Sequence, residues 1–192
     1  MRATLGPVLY GRSLLRGYVA ELHRLGIIEE MRARASGELL PLLDDPRRAP
    51  AWVKVALLDE LIAALAALRG RDAVREMGYR AMKEGGLATV LEPIIHLTVS
   101  VLGGGPGSLF ARAQLMASVI SRGVELTWTP GGNAGGVMKI RCDERIPELS
   151  WAPWEGAFLY SYDLTGSSGE VAQARPAADG GSCEIDLSWT PK

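Results

Sequence analysis

The stretch Ser121-Arg-Gly-Val-Glu-Leu-Thr-Trp-Thr129 decides the fold, because the apolar period changes at Gly123. After it, Val124, Leu126 and Trp128 alternate with Glu125, Thr127 and Thr129, the pattern of a half-buried strand. Before it, the apolar residues keep helical spacing. Working outward downstream, the turn-rich Pro130–Gly136 leads into Val137–Cys142, where Met138, Ile140 and Cys142 alternate with Lys139 and Arg141. The two segments predict a hairpin. Ser168–Ala174 and Ser182–Trp189 predict a second, with Cys183, Ile185, Leu187 and Trp189 on one face. Between the hairpins, Trp151–Leu164 suits a strand by Phe158, Tyr160, Tyr162 and Leu164. Its spacing of Trp151, Trp154, Phe158 and Tyr162, with Pro153 at the start and Gly166 at the end, selects a helix.

Upstream, helices are expected over Val8–Leu25, over Ile27–Leu43 with a break near Ser36-Gly37, over Trp52–Leu68 behind Pro50, over Asp72–Lys83 and over Ser108–Ser121. Leu87–Leu102 is β-branched enough for a buried strand, but its length favours a buried helix. The sum is one α+β domain over 1–192. Residues 1–122 form a helical layer, and 123–192 form a small, mostly antiparallel sheet ordered strand-strand-helix-strand-strand.

Composition narrows the function. Hydrophobic content of 47% with 22% charged residues marks a globular chain, and a net charge of −1 removes the footprint of a nucleic-acid binder. Arg24, Arg32, Arg34, Arg47 and Arg48 read as solvated helix faces. Two cysteines, Cys142 and Cys183, are too few for a disulfide scaffold and suit reduced thiols. The apolar run Thr89–Leu102 is interrupted by Glu92, Pro93 and His96 and is too short for a membrane span. With no secretion signal at the start, the expected location is the cytoplasm.

Candidate chemistry is sparse. Leu102-Gly-Gly-Gly-Pro-Gly-Ser108 lacks the Lys-Ser/Thr ending of a phosphate-binding loop and reads as a connector. His23 and His96 are the two histidines; without a Cys pair or a second ligand nearby they support no zinc site. No serine has a nucleophile-elbow context, so no enzyme assignment follows. The aromatic group Trp151, Trp154, Phe158, Tyr160 and Tyr162 stands out in a chain only 6% aromatic, and such clusters line apolar pockets as well as cores.

Arg122–Trp128, the Trp154-Glu-Gly156 helix ending at Leu164-Thr-Gly166, and the closing strand Cys183-Glu-Ile-Asp-Leu-Ser-Trp189 resemble a diffuse bacterial family related to haem-NO-binding-like, 4-vinyl-reductase-like and TRAPP-like ligand-binding domains. The likeness runs over about Asp72–Trp189. It implies a sensory or scaffold fold, often dimeric, whose interior hosts a hydrophobic small molecule. The haem branch pairs a proximal His with Tyr-x-Ser-x-Arg. Tyr160-Ser161-Tyr162-Asp163 departs from that motif and His96 is unaccompanied, so haem is disfavoured and the cofactor stays unassigned. The expected function is a non-enzymatic regulatory module binding an apolar or aromatic ligand, with His96, Phe110, Met116, Trp154, Phe158 and Tyr162 as lining. The alternative is an interaction domain acting through homodimerisation or a protein partner.

Overall fold

The computed structural model describes residues 4–84 and 105–190, so the helix expected over Leu87–Leu102, with His96, lies outside the described residues. Among them, helices α1 (Arg12–Arg24), α2 (Ile28–Arg32), α3 (Leu40–Asp44), α4 (Val55–Arg69) and α5 (Arg71–Lys83) build the front of the molecule. Their core is Leu15, Leu22, Ile27, Met31, Leu61, Leu65, Val74 and Met77, all essentially inaccessible to water. Helices α6 (Pro106–Phe110), α7 (Ala113–Ile120) and α8 (Ala152–Thr165) accompany the sheet. The α+β architecture expected from the change of period is therefore the one observed.

The front is not wholly helical. The sequence reading starts α1 at Val8 and α4 at Trp52, but the structure starts them at Arg12 and Val55. The displaced residues are strands: β1 (Leu9–Gly11) lies antiparallel between β2 (Trp52–Lys54) and β3 (Ser121–Arg122). Long-range pairing outweighs local helix propensity here, and Gly11 and Lys54, both extended, turn each strand directly into the next helix. The Arg122 guanidinium lies 4.1 Å from the centre of the Trp52 ring across this small sheet. The single helix expected over Ser108–Ser121 is also corrected. It is two helices parted at Ala111–Arg112, with Ser121 already in β3; Phe110 is drawn into the sheet-side core while α7 buries Ala113, Ala117 and Ile120.

The main sheet runs β4 (Val124–Pro130), β5 (Gly135–Cys142), β8 (Ser182–Trp189), β6 (Gly169–Val171), with β7 (Arg175–Pro176) also on β8. Both expected hairpins are present. The N–H of Leu126, on the outer side of β4, donates to Gln114 Oε1 at 2.6 Å. The second hairpin carries an irregularity that the sequence pattern did not reveal. Val171 faces Leu187 and Arg175 faces Glu184, so four steps on one strand oppose three on the other. This is a bulge. It frees the Ala174 N–H from the ladder to donate to Glu155 Oε1 on α8, at 2.7 Å.

Helix α8 forms where its signals place it, with Pro153 in its first turn. Gly166 closes it in the left-handed region (φ 58°, ψ 29°), so that Ser167 N–H reaches back to Tyr162 O at 3.0 Å. Its sheet side packs Trp154, Phe158 and Tyr162 onto Met138, Ile140, Cys183, Ile185 and Leu187. Its other side meets α5 at an unusually short distance. A Cβ on Gly156 would stand 1.9 Å from Arg75 O, and one on Gly78 would stand 2.1 Å from Pro153 O. Only hydrogen fits at either position.

Both cysteines are free and buried on the sheet. Burial pushes the Cys142 thiol up to about 11 and Cys183 up to about 12. Both should thus be un-ionised at neutral pH, and iodoacetamide should leave the native protein unlabelled while modifying both thiols in guanidinium. Native labelling as fast as denatured labelling would contradict this placement.

Candidate functional site

Two apolar clefts lie along the seam between the helical core and the sheet-side core. The first is bounded by Tyr10, Leu14, Tyr18, Leu58, Asp59, Ile62, Ser150 and Pro153; the second by Phe110, Ala113, Met116, Leu126, Phe158 and Ser161. Met82, Ile120, Trp154 and Ala157 border both, so the clefts meet along one side of α8. Their volumes are about 480 and 510 Å³ with the open mouths included, of which the centre of a water molecule can reach about 30 and 50 Å³. That is enough for a few waters, and a larger guest requires movement of Met82 and Met116, whose unbranched side chains repack easily.

Trp154 is the hinge of the arrangement. Its ring lies 6.4 Å from Tyr10 and 6.3 Å from Phe158, both tilted. Phe110, planted by the short helix α6, is the centre of the second cleft's back wall, with Trp128 at 5.2 Å, Trp189 at 5.9 Å, Tyr162 at 5.9 Å and Phe158 at 6.0 Å. Such tilted and edge-on pairs hold aromatic faces rigidly.

Asp59 and Ser150 add polar groups to the lining of the first cleft. Asp59, on α4, has its carboxyl pKa raised, chiefly by burial, with Glu144 adding repulsion. The Ser150 hydroxyl lies near enough to temper that shift, yet no partner stands in hydrogen-bonding geometry to its Oγ, and the residue is only 7% exposed. Burial likewise raises Tyr10 and Tyr18, so both phenols stay protonated.

Of the residues singled out from sequence, Phe110, Met116, Trp154 and Phe158 border the second cleft. Tyr162 does not: its ring supports Phe110 from behind and its hydroxyl donates to Glu170 O at 3.0 Å, with burial pushing its pKa up to about 12. His96 lies outside the described residues. Of the first cleft, sequence reasoning found only Trp154. Tyr10 and Tyr18, on β1 and α1, meet Asp59 and Ser150 from far along the chain, and no spacing rule joins them. Among the described residues no group of three or more His, Cys, Asp or Glu could hold a metal ion, and no helix is long and apolar enough to cross a membrane.

No protein-family model matches the chain, and no curated protein matches it. Solved structures do. An Fe(II) unliganded H-NOX protein from K. algicida superposes with a TM-score of 0.68 at 8% identity, over 95% of this chain and 97% of that one. A structure from work on haem distortion in the H-NOX family gives 0.62 at 11%, over 93% and 94%. An oxygen-binding H-NOX domain related to soluble guanylate cyclases, in its oxygen complex, gives 0.58 at 11%, over 91% and 92%. The chain therefore has the H-NOX fold, and the resemblance drawn from its C-terminal half extends through nearly its full length.

The fold's haem can be tested against this chain. Haem is a flat macrocycle bearing two carboxylates, which call for a wide slot and cationic partners. The described lining of the two clefts holds no Lys, Arg or His, and its one charged group is Asp59. Counted from Tyr160, the arginine position of Tyr-x-Ser-x-Arg falls on Leu164, and the neighbouring Asp163 pairs with Lys83 at 3.0 Å. The described lining thus offers the haem carboxylates no cation, and His96, the candidate axial ligand, lies outside the described residues.

Proposed function

We propose that this chain is a non-enzymatic sensory module that takes an apolar or aromatic small molecule into the clefts beside Trp154. The observation that carries this reading is the pair of apolar clefts meeting along α8, at the seam between two otherwise closely packed cores. A guest seated there touches α1, α4, α5, α7 and α8 at once, so binding biases how the helical layer sits on the sheet. That is what a sensor needs: a ligand with different affinity for two arrangements. The two un-ionised thiols suit work in a reducing compartment such as the cytoplasm.

Homodimerisation or a protein partner has less support. Leu115 and Val119, on α7, are the exposed large hydrophobic residues among those described, and two side chains fall far short of the roughly 800 Å² per partner of a specific interface.

Native mass spectrometry of protein taken directly from cells should show a retained small molecule. Ala157→Leu puts three more carbons where the clefts meet and should abolish retention while leaving the melting temperature within a few degrees, because they enter open cleft rather than packed core. An apo mass for the wild type, with no thermal shift from any member of an aromatic and lipid library, would refute the proposal.

A further inference from the structure

The first cleft is asymmetric in a way that specifies its guest. Its walls are aliphatic and aromatic: Leu14, Leu58, Ile62 and Ile120, with Tyr10, Tyr18 and Trp154. Besides the two phenols, its polar side chains among the described lining are the Asp59 carboxyl and the Ser150 hydroxyl. No Lys, Arg or His lines it among the described residues. Ser150 Oγ is buried beside the Asp59 carboxyl, close enough to lower its pKa but with no partner in full hydrogen-bonding geometry, so the hydroxyl can turn to a guest.

Resting on the ligand-binding reading above, we infer that the guest is a ring-bearing alcohol or primary amine. Its head group donates to the Asp59 carboxylate and meets the Ser150 hydroxyl, while its apolar body lies along Trp154 towards the second cleft. A carboxylate or phosphate head would face the Asp59 carboxyl with no Lys, Arg or His among the described lining to offset it, so anionic compounds should bind worst. An amine is preferred to an alcohol because a charged donor makes the stronger bond to a carboxylate.

Four probes of one shape separate these claims: aminoindane, indanol, indane and indanecarboxylate, titrated into the full chain by calorimetry at neutral pH. Aminoindane should bind about tenfold more tightly than indane, with indanol between them and indanecarboxylate weakest. Asp59→Asn keeps the shape of the side chain and should erase the preference for the amine over the alcohol. Ser150→Ala should weaken indanol while leaving indane unchanged. Indane binding as tightly as aminoindane, tightest binding by indanecarboxylate, or an amine preference that survives Asp59→Asn would overturn the head-group assignment and leave the apolar site standing. Failure of all four probes to bind would overturn the ligand-binding reading itself, and this assignment with it.

Discussion

One methyl group added at Gly156 is expected to cost about 3 kcal/mol of folding stability. The new Cβ would fall 1.9 Å from Arg75 O and 2.6 Å from Tyr79 N, both backbone atoms of α5 that cannot rotate away. The two helices must then separate, which loosens the packing of Val74 and Met77 in one core and of Trp154 in the other. The sign is informative, because alanine in an ordinary helix interior is worth about 1 kcal/mol over glycine. Gly78→Ala should be of similar size, its Cβ meeting Pro153 O at 2.1 Å. The double variant should cost clearly less than the sum, since the first methyl group already parts the helices. Urea denaturation of the three variants measures this, and unchanged midpoints would show that α5 and α8 are not held at this distance.

Replacing Glu155 with alanine is the second large effect, at about 3 kcal/mol. The carboxylate is wholly buried and takes Arg71 in a two-pronged pair, at 2.9 and 2.5 Å, together with the Ala174 N–H at 2.7 Å. Arg75 Nε stands 3.9 Å away, and its Nη2 donates to Val171 O at 2.8 Å. Removing Glu155 strands the buried Ala174 N–H and leaves two guanidinium groups facing each other without their anion. The contrast is Asp163, half-exposed, whose pKa is lowered by the Tyr79 hydroxyl and Lys83. Asp163→Asn should cost less than about 1 kcal/mol, because solvent screens an exposed pair. Equal losses at the two sites would contradict the distinction drawn from burial.

Glu155 also shows where sequence reasoning stops. In the chain it is one acidic residue between Trp154 and Gly156, and nothing local says that it is buried. The bulge that delivers Ala174 to it shows only in the register of β6 and β7 against β8. Elements with many residues of consistent period were legible: β4, β5 and β8 by alternation, and α8 by its start and stop signals. Strands β1, β2 and β3 were not, because each has two or three residues and their mutual pairing is the reason they are strands. The candidate site divides along the same line. Trp154 and Phe158 announce themselves by spacing on one helix, whereas Tyr10, Asp59 and Ser150 are brought together by the fold.

The outer margin of β4 bears on how copies of this chain behave in a crowded solution. The register turns Val124, Leu126, Trp128 and Pro130 outward, since the Leu126 N–H points away from β5. Proline has no N–H to offer, and the Gln114 amide oxygen occupies that of Leu126. Two of the four outward positions thus present no free donor to an incoming strand. Lateral growth into fibrils, the usual hazard of a strand margin, is disfavoured by one proline and one glutamine side chain.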